Sequence, residues 1–308
     1  MPSVSRLVRF LELVFLGTSG SMPTRERNLP SVVAKYGSEL LMFDCGEGTQ
    51  RQMGLAKLSP AKKMKIFISH MHSDHVLGLP GLLQSMALLG RQNSLEIFGP
   101  RGIREFVEVV NETVQFNLTF PVHIHEVKAG KIDDEERYEI HAARADHVIP
   151  CIAYSFTEKP RPGKFHVQMA RRLEVPEGPL WKRLQMGKTV RVKGKKIDSR
   201  LVVGPSKPGT KIIYATDTRP SHRIATLASK ADVLIHDGTF DSSLEHRARP
   251  DGHSTAAEAA KVAKAANVRK LVLTHISARY RDASVLLREA RRIFRNTVVA
   301  RDLMIMEC

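Results

Sequence analysis

The sequence predicts an α/β protein of four layers, two β-sheets packed face to face with helices on both outer faces. Two observations lead there. Short strand-like runs alternate with helix-like stretches, the first half strand-rich with hairpins and the second half mixed, which suits two α/β halves joined through their sheets. A chain of 308 residues, 42% hydrophobic, is also long enough to bury such a core, as one large domain or two small ones.

Strands are expected at 11–16, 31–36, 40–44, 65–69, 94–98, 122–127, 138–143 and 151–156, and then at 211–215, 233–236, 270–274 and 297–306. Helices are expected at 49–57, 79–89, 101–113, 221–228, 255–266 and 283–294. The opening MPSVSRLVRFLELVFLG resembles a secretory leader. Glu12 interrupts its apolar run, however, and Phe15-Leu16-Gly17-Thr18 reads better as a first strand and turn. No run is long and apolar enough to span a bilayer, so a cytoplasmic protein without a membrane partner is expected. Cys45, Cys151 and Cys308 are too few and too scattered for a disulfide framework or a thiolate metal site. The first two read as small buried hydrophobes.

The densest chemical signal is Ser69-His70-Met71-His72-Ser73-Asp74-His75, which closes the apolar run Lys65-Ile66-Phe67-Ile68. Imidazole and carboxylate suit zinc and similar borderline cations. An extended segment lets His70 and His72 point the same way. A turn into a helix at Gly78-Leu79-Pro80-Gly81 can send Asp74 and His75 towards a second metal. A solvated histidine-rich loop would not explain why the cluster follows a buried strand. These ligands do not saturate two metals, so others must come from distant strand ends. His147 in Ala145-Asp146-His147-Val148, Asp217 at the end of 211–217 and His275 at the end of 270–275 all stand where a strand gives way to a loop. Each alone reads as structural. Together with the cluster they read as ligands, with Asp217 able to bridge two cations.

Other histidines compete less well. His123 and His125 repeat the His-x-His spacing in mid-strand with no Asp-His after them, and read as a solvent-facing pair. His141 reads as a core or surface partner and His236 as a neighbour of the site, while His166, His222 and His246 lack supporting context. His253 differs. Thr255 and Glu258 form a capping box that starts a helix, and His253 lies just before it in a turn introduced by Gly252. That placement suits a proton donor at the mouth of a site, which a carboxylate such as Asp237 can orient and lift in pKa towards neutrality.

Charge is unevenly spread. Residues 158–207 carry 14 Lys/Arg against 4 Asp/Glu, ten of the chain's sixteen net positive charges. The field favours a polyanion. From 158 to 204 the chain also holds Pro160, Pro162, Pro176, Pro179, several glycines, Phe165 and the only tryptophan, Trp181, with no continuous apolar face. Residues 1–308 therefore read as a single domain with a protruding insertion at 158–204, whose basic and aromatic residues suit a phosphate backbone.

His70-x-His72-x-Asp74-His75 with His147, Asp217 and His275 resembles the metallo-β-lactamase superfamily. Further motifs narrow the resemblance: Phe15-Leu16-Gly17-Thr18-Ser19-Gly20, Pro23-Thr24, Arg27-Asn28, the run from Asp44 to Gln52, Val175-Pro176-Glu177-Gly178-Pro179-Leu180, Leu184-Gln185-x-Gly187, Gly252-His253-Ser254-Thr255, and Thr274 to Tyr280. With these, the chain is similar to the ribonuclease Z family of tRNA 3′-end processing endonucleases. The resemblance implies a metallo-β-lactamase αββα sandwich with two zinc ions per subunit. It assigns one ion to His70, His72 and His147, the other to Asp74, His75 and His275, and the bridge to Asp217. It makes Asp74 the proton acceptor for the attacking water, His253 the general acid, and the insertion a flexible arm that clamps precursor tRNA. It further implies a homodimer, and substrate contacts from Thr49, Gln50, Arg51, Ser277, Arg279, Tyr280, Gly178 and Pro179. One departure is that Asp237-Gly238-Thr239 stands where the family has Glu in an acidic-Ala-Thr segment. A small-molecule phosphodiesterase or sulfatase on the same scaffold is the alternative, and would not need the arm.

Overall fold

The computed structural model describes residues 11–115 and 117–308. Of the stretch 1–17 weighed above as a leader, residues 1–10 lie outside them, and the rest is strand Leu11–Gly17. The chain divides into two compact units, one made of Met1–Asp134, Ile140–Phe156 and Lys211–Cys308, the other of Glu135–Glu139 and Thr157–Thr210.

The larger unit is built on two sheets of seven strands. In the first the order is Ile305–Glu307, Leu11–Gly17, Ser31–Tyr36, Glu39–Phe43, Met64–Phe67, Leu95–Gly99, Val122–Glu126. Its first four strands are antiparallel, and from Glu39–Phe43 onward they run parallel. In the second the order is Thr297–Val299, Lys270–Thr274, Val233–Asp237, Lys211–Ala215, Ile152–Glu158, Tyr138–Arg144, Gly130–Asp134, with the first four parallel.

The strands are near-continuous apolar runs because both of their faces are covered. The period of two sorts them. Leu40, Met42, Met64 and Ile66 pack outward against helices Thr49–Leu55, Gly78–Leu88 and Ile103–Thr113. Ile213, Ala215, Leu234, Leu271 and Leu273 pack outward against helices His222–Leu227, Ala256–Ala265 and Ser284–Ile293. The alternate positions meet between the sheets, where Phe43 and Phe67 of the first sheet lie against Tyr154 and Tyr214 of the second at ring separations of 5.4–6.2 Å. Tyr154 donates its hydroxyl to the Ile68 carbonyl at 2.7 Å. These are the four layers expected.

Several expectations need correcting. The strand expected over 297–306 is two strands, one in each sheet. Residues 300–304 leave one sheet and carry the chain to the other edge, with Leu303 in the left-handed region at φ 61°. Strand Gly130–Asp134 was not expected, because its alternation is of charged residues. Helix Glu245–Asp251 has Pro250 in its last turn, which disguised it.

The smaller unit also differs from the reading of 158–204. It extends over Thr157–Thr210 and takes in Glu135–Glu139. Without a continuous apolar face in the sequence, it still has its own core of Ala170, Val175, Leu184, Val190, Ile197 and Val202, flanked by Phe165 and Trp181 with rings 5.2 Å apart. Helices Val167–Arg172 and Pro179–Gln185 and the hairpin of Val190–Val192 with Lys195–Ile197 supply it. Each element gives one to three apolar side chains, too few for a periodic signal. Leu184→Ala is expected to cost this unit about 2–5 kcal/mol, seen as faster amide exchange over 157–210 with the rest of the chain unchanged.

Candidate metal centre

The parallel strands of both sheets deliver the site's side chains to their C-terminal ends. Ser69 and His70 follow Met64–Phe67, and the helical turn Ser73–Val76 then buries Asp74 and His75. This turn packs directly on the one after Glu39–Phe43: the Cys45 amide donates to the His75 carbonyl and the Gly78 amide to the Cys45 carbonyl, each at 2.9 Å. Glycine is required there, since a Cβ on Gly78 would fall 1.9 Å from the Gly46 carbonyl oxygen. From the second sheet, Asp217 follows Lys211–Ala215 and His275 follows Lys270–Thr274. Asp44, Asp217 and His275 all take positive φ, at 57°, 48° and 58°. Left-handed backbone at three non-glycine residues of one site is strain held by the surrounding hydrogen bonds.

These bonds dictate which nitrogen of each imidazole is bare. His147 Nδ1 donates to the Gly252 carbonyl at 2.9 Å, so Nε2 carries a lone pair. His70 Nδ1 faces Ser69 Oγ at 3.0 Å, and that hydroxyl is spent on Asp44, so His70 Nδ1 donates and Nε2 is bare. His70 Nε2 and His147 Nε2 both point at His72 Nδ1, at 2.9 and 3.3 Å. Two bare Nε2 atoms therefore converge on a third imidazole nitrogen, an arrangement that suits a shared cation. Burial holds all three imidazoles below the ordinary histidine pKa, in their neutral, ligating form.

A second group forms beside the first. His75 Nδ1 donates to Asp44 at 2.7 Å, and His275 Nδ1 to Thr239 Oγ1 at 3.0 Å. Their Nε2 atoms each face Asp74 Oδ2 at 3.4 Å and an oxygen of Asp217 at 3.2 Å. His75 Nε2 is buried with no hydrogen-bond partner. Burial disfavours ionised Asp74 and Asp217, but the surrounding imidazoles outweigh it and hold both carboxyls below their usual range. Burial likewise opposes charge on His75, and Asp217 and Asp44 outweigh it. The cluster thus calls for positive charge between its ligands, and the donor set fits a divalent ion. His70, His72 and His147 form one compact set, Asp74, His75 and His275 another, and His70, His75 and Asp217 a third that links them.

His253 stands at the edge. Its Nδ1 donates to Asp237 Oδ2 at 2.8 Å. Asp237 is fully buried and also accepts from the amides of Thr218 and Thr239 and from Thr239 Oγ1. Burial depresses the His253 pKa, but Asp237 and then Asp217 overcome it and push it up to about 9. A cleft of about 180 Å³ beside it is lined by residues that include Ser21, Phe240, Ser277 and Arg279.

Comparison with known proteins gives this geometry a family. A family described as "Anti-Pycsar protein Apyc1" matches residues 11–155, and one described as "Beta-lactamase superfamily domain" matches residues 188–276. Ribonuclease Z of Methanosarcina acetivorans is 45% identical over 298 residues, covering 96% of this chain and 98% of the relative. That of Bacillus velezensis is 39% identical over 304 residues, covering 96% and 98%. The chain belongs to the ribonuclease Z family. It is therefore a metal-dependent endoribonuclease. Human tRNase Z, short form, superposes with a TM-score of 0.71 at 27% identity, covering 96% of this chain and 98% of that one. The metallo-β-lactamase fold protein YhfI from Bacillus subtilis, at 16% identity and TM-score 0.70 over 97% of this chain and 100% of that one, shares the fold.

The shorter Asp237, where the ribonuclease Z pattern has Glu, reaches His253 directly. The substrate contacts expected by family likeness fare unevenly. Ser277 and Arg279 line the cleft beside His253, and the Arg279 guanidinium lies 5.2 Å from the Phe240 ring centre. Thr49 must be corrected: it is buried, with its hydroxyl donated to the Gly46 carbonyl at 2.7 Å, where it closes the turn before its helix. The Tyr280 hydroxyl is tied to Asp241 at 2.9 Å. Gln50 and Arg51 are exposed on the helix, with Gln50 Oε1 accepting from Ser85. Gly178 and Pro179 belong to the smaller unit, where Gly178, at φ 118°, opens helix Pro179–Gln185.

Sequence reasoning missed the residues that hold the ligands. Asp44 is the chief of these, accepting from the Ser69 amide, Ser69 Oγ, His75 Nδ1 and Tyr214 OH at 2.6–2.8 Å. Its signal was present, a carboxylate at a strand end before Cys45-Gly46. Tyr214 carried none, and Thr239 only its place in the segment Asp237-Gly238-Thr239. Thr239→Val removes the acceptor of His275 Nδ1, and is expected to weaken metal binding about 10–100-fold, as read by chelator competition.

Proposed function

We propose that the chain cuts precursor tRNA after the discriminator nucleotide, removing the 3′ trailer and leaving a 3′-hydroxyl on the tRNA and a 5′-phosphate on the trailer. The observation that carries this reading is the convergence from both sheets of seven side chains able to ligate, with His253 held by Asp237 beside them, in a ribonuclease Z-family chain. His70, His72 and His147 would hold one zinc ion and Asp74, His75 and His275 the other, with Asp217 shared. An imidazole–carboxylate set of this kind suits zinc. When bound, the two ions lower the pKa of a water and offset charge on the scissile phosphate.

The chain's own groups do the rest. Asp74 Oδ2 takes the Ser21 amide at 2.9 Å and faces two imidazoles, which orients the carboxylate to accept the proton of the attacking water. His253 gives Nδ1–H to Asp237, so its Nε2–H is free to protonate the leaving oxygen. The smaller unit, with its excess of Lys and Arg, serves as the tRNA-binding arm. Its phosphate contacts make binding salt-dependent. Family likeness supports a homodimer acting in the cytoplasm, and no helix among the described residues is long and apolar enough to cross a membrane.

The deciding assay uses a 3′-extended tRNA precursor and a small phosphodiester. Removal of the basic arm is expected to weaken tRNA binding while the small diester is still hydrolysed. Asp74→Ala is expected to abolish both activities. Unchanged precursor cleavage without the arm would refute the clamp.

Acidity provides a separate check. Since Asp237 holds His253 protonated up to about pH 9, the acid form prevails below that pH, and kcat is expected to fall as pH rises through it. Asp237→Asn removes the attraction and should move this inflection to lower pH.

A further inference from the structure

Away from the metal ligands the chain concentrates positive charge a second time. Residues 279–301 contain seven arginines, no lysine and two carboxylates, so they hold five of the six net charges left once 158–207 is set aside. Part of this stretch borders an open cleft of about 760 Å³, whose walls include Arg27, Arg281, Arg291, Arg301, Leu303 and Met304.

Glu26 also borders the cleft and is exposed, but the other nearby carboxylates are engaged. Asp282 Oδ1 accepts the Ser284 amide at 3.0 Å. Asp302 accepts Thr18 Oγ1, the Asn28 amide and Gln52 Nε2 at 2.6–2.9 Å. Glu289 accepts the amide and hydroxyl of Ser242 at 2.9 Å. Arg27 is tied inward to Thr18 Oγ1 and the Ala300 carbonyl. Arg281 and Arg301 are exposed and form no ion pair with a carboxylate among the described residues.

This cleft adjoins the one at His253. Residues 20–22 and 277–279 line the catalytic cleft, and farther along the same two segments, residues 26–27 and 281–284 line the arginine cleft. Thr18 links them: its carbonyl accepts the Ile276 amide at 2.9 Å next to His275, and its hydroxyl accepts from Arg27 at 2.6 Å. A polyanion whose scissile phosphate sits at the metal ligands can continue along these segments onto Arg281 and Arg301.

We propose that the arginine cleft holds backbone phosphates of the single-stranded 3′ trailer, beyond the cut from the tRNA body. This rests on the tRNA-processing reading above. Arginine's planar fork suits phosphate oxygens better than lysine does. Leu303 and Met304 offer apolar surface to unpaired bases, as single-strand grooves do. A precursor is base-paired up to its discriminator nucleotide, so the trailer is the unpaired strand available to this cleft.

The test compares wild type with the double variant Arg281→Ala/Arg301→Ala on two precursors of one tRNA, one with a single-nucleotide trailer and one with a long unpaired trailer. On the long trailer KM is expected to rise about tenfold, and the logarithmic salt dependence of binding to flatten by about 1.4 for two lost single-strand phosphate contacts. The single-nucleotide precursor and a small phosphodiester should be turned over as by wild type, which also reports an intact fold. Lysine at both positions should restore much of the salt dependence. Equal losses on both precursors would overturn the proposal in favour of an acceptor-stem contact, and no loss on either would overturn it outright. Failure of the tRNA reading itself is distinguishable, because wild type would then cleave neither precursor.

Discussion

The metal centre depends on one buried carboxylate. Asp44 accepts from the Ser69 amide and hydroxyl, from His75 Nδ1 and from the Tyr214 hydroxyl. Ser69 Oγ in turn receives His70 Nδ1. A single side chain thus sets the tautomer of one imidazole directly and of another through a hydroxyl, and those two belong to the two different ligand groups. Tyr214 comes from the second sheet and Asp44 follows a strand of the first, so the same carboxylate also ties the sheets together where their ends must stay in register. A fully buried carboxylate is stable only when its oxygens are satisfied by donors of this kind.

The same economy explains the backbone. Asp44, Asp217 and His275 adopt left-handed φ at the C-terminal ends of their strands, where parallel strands of both sheets finish on one edge. A strand continuing straight would carry these side chains past the site. A single left-handed residue turns each one inward. Close glycines complete the turns: a Cβ on Gly20 would lie 2.6 Å from the His275 ring, and one on Gly252 2.5 Å from His147 Nδ1. The ligands are therefore held by packing and hydrogen bonds among the chain's own residues, the kind of support that orients side chains at a metal centre.

Much of this was legible in the sequence. The apolar runs that become strands, the capping box at Thr255, the clustered ligands from His70 to His75 and the later His147, Asp217 and His275 are local patterns, and the structure gathers those ligands into one cluster. His123 and His125 are exposed on strand Val122–Glu126, as expected, with His125 against Glu96. The small core of Thr157–Thr210 was illegible because each of its short elements gives only one to three apolar side chains. Thr49 was misjudged because a hydroxyl after a glycine turn looks the same in sequence whether it faces a ligand or its own backbone.

By itself the sequence determined residue chemistry and period: which segments alternate as strands, which side chains can ligate a cation, and where charge accumulates. Those properties act over a few residues and survive in one dimension. Tertiary structure alone decided which nitrogen of each imidazole is bare, that Asp237 rather than another carboxylate holds His253, and that Arg281 and Arg301 border a common cleft. These depend on hydrogen bonds and packing between residues tens to hundreds of positions apart, and no spacing along the chain encodes such a distance.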